Sequence, residues 1–163
     1  MAPPVASRCA TAAWKRSSHG TFHAVRLSPG ADLKKELLDY AQQAAAPALA
    51  IVTCVGSLSS VQLRLAGASA TSSGKVLDLV GRYEIVSLVG TLGLDSTGAA
   101  YGHLHLSVGD EDGAVVGGHI SGLCAVLTTA EVVLLQLPDL RFDRKMDPQT
   151  GFKELSIDSD QDA

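Results

Sequence analysis

The chain has 163 residues, of which 46% are hydrophobic and 18% are charged, so it can bury the core of one ordinary domain and is not disordered throughout. A net charge of −4 and a pI near 5.6 exclude a global electrostatic attraction to nucleic acid. No apolar run reaches the roughly 18–20 residues that span a membrane. Three scattered cysteines without CxxC spacing favour a reducing compartment, here the cytoplasm.

The N-terminal stretch is basic and lacks acidic residues. Residues 1–20 carry Arg8, Lys15 and Arg16, and the first carboxylate of the chain is Asp32. Ala, Ser and Arg without acids is the composition of a mitochondrial transit peptide, but two early prolines interrupt an amphipathic helix. We predict a disordered tail over residues 1–20, with mitochondrial targeting as the alternative.

The first predicted elements are a strand over residues 21–27 and a helix that Asp32 caps and Pro47 ends. The continuously apolar residues 49–55 predict a strand that is covered on both sides. The helix is predicted because apolar residues recur on one face at helical spacing. That face consists of Leu33, Leu37, Tyr40, Ala41 and Ala44.

Small polar residues divide the middle of the chain into short predicted strands. GSLSS at 56–60 is predicted to be a tight loop before a strand at 61–65, and GASATSSG at 67–74 to be a second loop. Two further strands are predicted at 75–80 and 82–89, because both are rich in β-branched or aromatic residues.

A β-hairpin is predicted next. Residues 101–108 alternate between polar and apolar side chains, residues 109–113 have turn composition, and residues 114–120 return as a second strand. A long strand at 126–137 and a turn at 147–151 follow. One helix and about seven strands joined by short turns predict an α+β domain with a largely antiparallel sheet.

The predicted domain covers residues 21–157, and the acidic residues 158–163 are predicted to be a disordered tail.

Three of the five histidines lie in the hairpin. If its turn is centred on Glu111, His103 lies opposite His119 and His105 lies opposite Gly117. Cβ atoms across the ladder are about 4.5–5.5 Å apart, and same-face neighbours on one strand are separated by about 6.5–7 Å. The three imidazoles then converge on one face.

Three converging imidazoles predict a divalent metal site with an open coordination position. Zn is the first candidate, and Fe, Ni and Cu accept the same ligands. Two alternatives stay open: solvated polar residues on an exposed strand, or buried histidines bonded to backbone. A bulge at Gly113 would shift the pairing by one residue and send His119 to the opposite face.

Four segments in sequence resemble one known family. They are GSLSSVQLRLA, GRYEIVSLVGTL, GHLHLSVGDEDGAVVGGHI and TTAEVVL. Together they resemble the plant and prokaryote conserved (PPC) domain over about residues 21–157. The resemblance implies a sandwich-like α/β domain that assembles as a homotrimer.

Two branches of that family imply different functions. In land plants the domain follows AT-hook motifs, with an Arg-Gly-Arg-Pro core, in nuclear DNA-associated transcription regulators, and it generally lacks the three histidines. No such core occurs in this sequence. The chain resembles the stand-alone bacterial-type branch, which retains the HxH and GGH motifs and whose biochemical role is not established.

Further residues are predicted to be structural or to lie at subunit contacts. Glu84 lies in a mostly apolar strand, where a buried carboxylate needs a cation, and Arg64, Arg82 or an arginine of a neighbouring subunit would serve. A fourth metal ligand or a general base is the alternative role for Glu84. Gly117 and Gly118 allow close backbone approach, and we place the trimer contact there. Their alternative role is to relieve crowding within one chain.

Three classes of function stay open. The favoured one is a homotrimeric metal-binding domain, whose open coordination position could support catalysis. No general base is evident beside the histidines, so neither an enzymatic activity nor a small-molecule ligand is assigned. The second is a DNA-associated or transcription-regulatory protein, in which the basic N-terminus would contact phosphate. The third is a structural trimer that binds other proteins.

Overall fold

The structure, a computed structural model, describes residues 17–69, 72–95 and 97–159. These residues form seven strands and one helix. In chain order the elements are β1 (Thr21–Leu27), α1 (Leu33–Gln43), β2 (Ala48–Arg64), β3 (Val76–Leu94), β4 (Ala100–Gly109), β5 (Val115–Gln136), β6 (Leu140–Met146) and β7 (Lys153–Ser159).

Neighbouring strands of the main sheet all run antiparallel, in the order β1–β5–β2–β3–β4, and β4 also pairs with the N-terminal part of β5. The strands β2, β3, β4 and β5 therefore close into a ring, with β1 added along the C-terminal part of β5. Strands β6 and β7 form a separate two-stranded sheet. The predicted α+β class, with a largely antiparallel sheet and one main helix, is confirmed.

Three strands are longer than the sequence predicted. β2 continues through residues 56–60, which were predicted to be a loop, β3 continues through Gly81, and β5 joins two predicted strands across residues 121–125. Small residues bend these strands instead of ending them. Gly56 has a φ of 141°, and a Cβ there would lie 2.0 Å from the carbonyl oxygen of Thr129 on the adjacent strand.

Helix α1 begins where the sequence predicted, but it ends one residue before Ala44, which was predicted to lie on its apolar face and is instead the exposed C-cap. The Asp32 carboxylate accepts hydrogen bonds from the amides of Lys34 at 3.1 Å and Lys35 at 3.4 Å, which satisfies two free N–H groups of the first turn. The helix ends at Gln43, ahead of Pro47. It packs against β4 and β5. Its buried residues are Leu33, Leu37 and Ala41.

An aliphatic core fills the ring and the space under α1. In β4 the inward side chains Leu104, Leu106 and Val108 are at most 2% exposed, so the residues between them face outward. Cys54 and Cys124 are buried free thiols, and burial raises the pKa of Cys54 to about 11. Both cysteines are small core residues, as predicted.

The hairpin of β6 and β7 was predicted only as a turn at residues 147–151. That turn is present, because the amide of Gly151 donates to the carbonyl of Asp147 at 2.8 Å. The guanidinium of Arg141 donates to the carbonyl of Asp95 at 2.6 Å and holds β6 beside the end of β3. This attachment brings the hairpin to the outer face of β4.

Residues 1–16 and 160–163 lie outside the described part of the chain, so over residues 1–16 the predicted N-terminal tail and its targeting alternative rest on the sequence alone. Residues 17–20 of the predicted tail are described, and the Asp139 carboxylate accepts hydrogen bonds from the Ser18 hydroxyl at 2.9 Å and the His19 amide at 3.0 Å. β7 extends to Ser159, two residues into the predicted acidic tail, and Asp158 forms an ion pair with Lys145 at 3.1 Å. Within the residues that the structure describes, no helix is long and apolar enough to cross a membrane.

Candidate metal centre

The β4–β5 hairpin has a register two positions away from the predicted one. The prediction placed His103 opposite His119 and His105 opposite a glycine, and this pairing is wrong: His105 lies opposite His119. The turn occupies Asp110–Ala114 instead of residues 109–113, with the amide of Asp110 donating to the carbonyl of Ala114 at 3.0 Å. The predicted turn was displaced by one residue, which moves each pair by two.

The three histidines still converge, because side chains alternate along a strand and a shift of two positions keeps every residue on its face. The Nε2 atoms of His103 and His105 are 3.2 Å apart, and the three ring centroids are separated by 5.0 to 5.4 Å. One nitrogen from each ring lies within 4.8 Å of the others. Across the strands, Arg64, His119, His105 and Val89 form one row.

Two of the histidines are held in the neutral form. Burial lowers the pKa of His119 to about 4, and the positive charge of Arg64 adds to the effect. Burial also lowers the pKa of His103, with a further contribution from Arg144. Neutral imidazole is the form that binds a metal. Nδ1 of His119 is buried and, among the described residues, has no hydrogen-bond partner.

Arg144 on β6 determines the tautomer of His103. Its Nη2 donates to Nδ1 of His103, and a guanidinium has no acceptor, so Nδ1 carries the lone pair. The proton of neutral His103 is then on Nε2, which donates to Nε2 of His105. A metal bound at Nε2 of His103 requires the other tautomer, with the proton on Nδ1. Metal binding therefore removes the acceptor that Arg144 uses.

A cleft of about 710 Å³ opens over the histidines. Its floor is the outer face of β4 and β5, one wall is the end of β2 with the loop after it, and the other wall is the β6–β7 hairpin. The residues that line it are Arg64, Leu65, Ala66, Gly67, Ala68, His103, His105, Gly117, Gly118, His119, Arg144, Phe152, Lys153 and Glu154.

Sequence comparison identifies the family. The pattern of the Plants and Prokaryotes Conserved domain, abbreviated PCC or PPC, matches residues 15–138, which is most of the chain and includes all three histidines. The chain belongs to the PPC family. The resemblance drawn from the four sequence segments is thereby confirmed.

Two curated relatives share the PPC domain with this chain. A bifunctional protein GlmU from Synechococcus sp. (strain JA-2-3B'a(2-13)) is 44% identical over 136 residues, covering 83% of this chain and 20% of the relative. AT-hook motif nuclear-localized protein 2 from Arabidopsis thaliana is 35% identical over 127 residues, covering 74% of this chain and 36% of the relative. The chain thus spans a minor part of either relative's length.

Solved structures have the same fold. A hypothetical protein from Salmonella is 39% identical with a TM-score of 0.80, and the match covers 89% of this chain and 98% of that protein. The metal-containing protein AF0104 from Archaeoglobus fulgidus has a TM-score of 0.74 over 87% of this chain and 99% of its own. At 23% identity the second likeness shows the fold alone.

Glu84 is exposed in this PPC domain, on β3 opposite Ser57 and Gly109. Among the described residues neither Arg64 nor Arg82 forms an ion pair with it. The predicted ion pair within one chain is therefore not formed, and a pair with a neighbouring subunit stays a prediction. Arg64 instead lies beside the histidines, and Arg82 lies away from them on exposed β3.

Gly118 is needed within the chain itself, and Gly117 lies in a tight position. A Cβ on Gly118 would lie 2.6 Å from the carbonyl oxygen of Arg64, and one on Gly117 would lie 3.1 Å from that of Leu106. The crowding alternative therefore accounts for both glycines. Whether they also lie at a subunit contact stays a prediction, which a bulky residue at Gly118 would not test, because it would disturb the pairing of β5 with β2.

Three charged residues of the site were missed from the sequence: Arg144, Lys153 and Glu154, all on the β6–β7 hairpin. Part of the signal was present, since LRFD at 140–143 and LSID at 155–158 lie on either side of the predicted turn at 147–151 and each alternates apolar with polar residues. That alternation predicts a hairpin. It does not predict where the hairpin attaches.

Proposed function

We propose that this PPC domain binds one divalent metal ion per chain through His103, His105 and His119. The observation that carries the proposal is the convergence of one nitrogen from each ring within 4.8 Å, on a face where burial keeps two of the rings neutral. Exposed histidines on a strand do not in general lie beside two other histidines. Here the register of β4 and β5 brings the three rings together.

The separation of the ring nitrogens fits a metal. Zn–N bonds of about 2.0–2.1 Å at tetrahedral angles place two ligand nitrogens about 3.3–3.4 Å apart. The Nε2 atoms of His103 and His105 are 3.2 Å apart. The third nitrogen lies within 4.8 Å of both, so a change of side-chain torsion closes the remaining distance. The unpartnered Nδ1 of His119 is also consistent with a ring that awaits a ligand.

An all-imidazole donor set suits Zn, and it also suits Fe, Ni and Cu. Three protein ligands leave one coordination position, and a metal held in this way can lower the pKa of a bound water to about 7. Glu154 is the one carboxylate among the residues that line the cleft. Glu154 is therefore the first candidate for a general base if the site is catalytic. The metal-containing relative from Archaeoglobus fulgidus, similar in fold, is consistent with this proposal.

A homotrimer is the second part of the proposal. Four exposed valines lie on two neighbouring strands: Val52 and Val55 on β2, with 50% and 55% exposure, and Val86 and Val89 on β3, with 56% and 55%. Val89 is paired with His105, so the apolar surface adjoins the metal ligands. Exposed apolar surface of this kind marks an interface, and a closed cyclic assembly buries it. The cytoplasm remains the proposed location.

DNA association is the second candidate function, and the relationship to a plant AT-hook protein at 35% identity favours it. The chain itself carries a net charge of −4. Gel-shift titration at physiological salt tests this alternative. Sequence-selective binding that survives there would support it, whereas binding that disappears as salt rises would reflect nonspecific phosphate contacts.

The metal content of the purified chain tests the proposal. The protein should be prepared without a histidine tag and without chelators, and analysed by inductively coupled plasma mass spectrometry. We expect close to one equivalent of a transition metal per chain. A content below about a third of an equivalent, unchanged after incubation with Zn and desalting, would refute the proposal.

A further inference from the structure

We propose that the cleft over the histidines binds a small organic oxyanion, a phosphate ester or a carboxylate, through the guanidinium groups of Arg64 and Arg144. This inference rests on the proposed function, because it names the class of ligand that lies beside the metal. The two are carried by different residues and can therefore fail separately.

The first observation is the charge of the cleft. Arg64, Arg144 and Lys153 line it together with a single carboxylate, Glu154, in a chain whose net charge is −4. A divalent metal would increase this positive charge further. Concave sites with an excess of one charge concentrate ligands of the opposite charge.

The second observation is that most of the arginine donors in the cleft have no acceptor among the described residues. Arg64 is half-buried, and within the described residues its guanidinium has no hydrogen-bond or ion-pair partner. A guanidinium has five N–H donors in a planar fork, and it matches the two oxygens of a carboxylate or phosphate. In this part of the chain the Arg144 side chain has one partner, Nδ1 of His103, which would become a donor when a metal binds at Nε2.

The third observation is the size and lining of the cleft. Its volume of about 710 Å³ lies in the range of small-molecule sites, roughly 300–1,000 Å³, and exceeds what inorganic phosphate fills. Leu65, Ala66 and Phe152 give it an apolar side. A ligand with an oxyanion at one end and an apolar group at the other fits this division. An aryl or alkyl phosphate is one such ligand, and an aryl carboxylate is another.

Isothermal titration calorimetry with phenyl phosphate, phenylacetate and neutral benzyl alcohol tests the inference on Zn-loaded full-length chain. We expect one or both anions to bind, and benzyl alcohol not to bind. Arg64→Gln and Arg144→Gln should each weaken anion binding by about tenfold or more while metal content stays at the wild-type level. Arg26→Gln removes an equal charge from exposed β1 and should leave anion affinity unchanged.

The outcomes separate the two proposals. Full metal content without binding of either anion, or binding that the two cleft variants leave unchanged, overturns the oxyanion site and leaves the metal centre intact. Arginine-dependent anion binding by a chain that takes up no metal overturns the proposed metal centre and supports the arginine site. If either glutamine variant lowers the melting temperature, Arg64→Lys or Arg144→Lys replaces it. Each keeps the charge but loses the planar fork, and should still weaken binding.

Discussion

His119 combines half-burial with a ring nitrogen that, among the described residues, has no hydrogen-bond partner. A buried polar atom without a partner costs about 1–3 kcal/mol of folding free energy. His23 is a useful contrast, since its Nδ1 meets the Tyr40 hydroxyl at 2.6 Å and its Nε2 meets the Gln136 side chain at 3.0 Å. Both ring nitrogens of His23 thus have hydrogen-bond partners, whereas Nδ1 of His119 is left available to a ligand.

His119→Leu is therefore expected to leave the metal-free protein as stable as the wild type or more stable, by up to about 1–3 kcal/mol, because it removes an unpartnered buried nitrogen. His23→Leu should lower the free energy of unfolding by a similar amount, because Tyr40 and Gln136 lose their partner. Urea unfolding with EDTA measures both. A clear loss of stability in His119→Leu would show that its ring has a structural partner.

The lowered pKa of His119 makes the stability of the metal-free protein depend on pH. The ring titrates near 6.5 in the unfolded chain and near 4 in the folded one, so the unfolded state binds more protons between these values. The free energy of unfolding should consequently fall as the pH is lowered from about 6.5 towards 4. His119→Leu should show a shallower decrease in the same urea titrations. Equal pH dependence in both proteins would contradict the lowered pKa.

His103→Ala and His105→Ala should each reduce the metal content to below about a third of an equivalent while the chain stays folded, because two imidazoles make a poor chelate. His105 is exposed, so its replacement should change stability by no more than about 0.5 kcal/mol. His19→Ala removes an exposed histidine from outside the site and serves as the control for plasma mass spectrometry. Wild-type occupancy in both His103→Ala and His105→Ala would place the metal elsewhere.

The pairing of β3 with β4 holds the first ligand in place. Gly90 has a φ of 141°, and a Cβ on it would lie 2.0 Å from the carbonyl oxygen of His103. Gly90→Ala should therefore displace β4 and lower both stability, by about 1–3 kcal/mol, and zinc affinity. Gly98→Ala is the control. It also places a side chain on a residue with a positive φ, 82°, but no atom lies within 4 Å of the added Cβ. Competition with a chromogenic chelator measures the affinity. Equal affinities in the two variants would argue against this role of Gly90.

How much of this could be predicted from sequence differs between elements. The alternation around His103 and His105 places both residues on one face of the strand, and the GGH segment supplies the third histidine. The metal ligands could therefore be predicted although the register was wrong by two positions, because such a shift leaves each side chain on the same face. The long bent strands could not be predicted from the sequence, because residues 56–60 have the composition of a turn. Gly56 bends β2 without ending it only because Thr129 of the adjacent strand lies against it. Contacts between residues far apart in the sequence determine whether such a segment ends a strand or bends it.

The arginine part of the site could not be predicted for the same reason. Arg144 reaches His103 because β6 is attached to the main sheet, and one of these attachments, from Arg141 to Asp95 at the end of β3, joins residues 46 positions apart. Local sequence patterns carry no information about such a contact. The cleft is therefore a property of how the β6–β7 hairpin is placed on the ring, whereas the histidines are a property of one hairpin.

At the scale of the whole molecule, the exposed valines of β2 and β3 predict assembly. Light scattering should give a mass about three times the single-chain 16.8 kDa at micromolar concentration. Val89→Asp should shift the protein towards smaller species, because a carboxylate would have to be buried without a partner. Val80→Asp is the control, at the far end of β3 from Val89. A mass of 16.8 kDa for the wild type would refute the trimer.

Anomalous X-ray diffraction from crystals of the native protein, grown without chelators, tests the metal centre most directly. Data collected on either side of the zinc absorption edge, and of the iron, nickel and copper edges, would identify the element. We predict one peak per chain, about 2.0–2.1 Å from a nitrogen of each of His103, His105 and His119. Absence of any peak within bonding distance of these rings, in a protein that retains its fold after incubation with zinc, would contradict the proposed function.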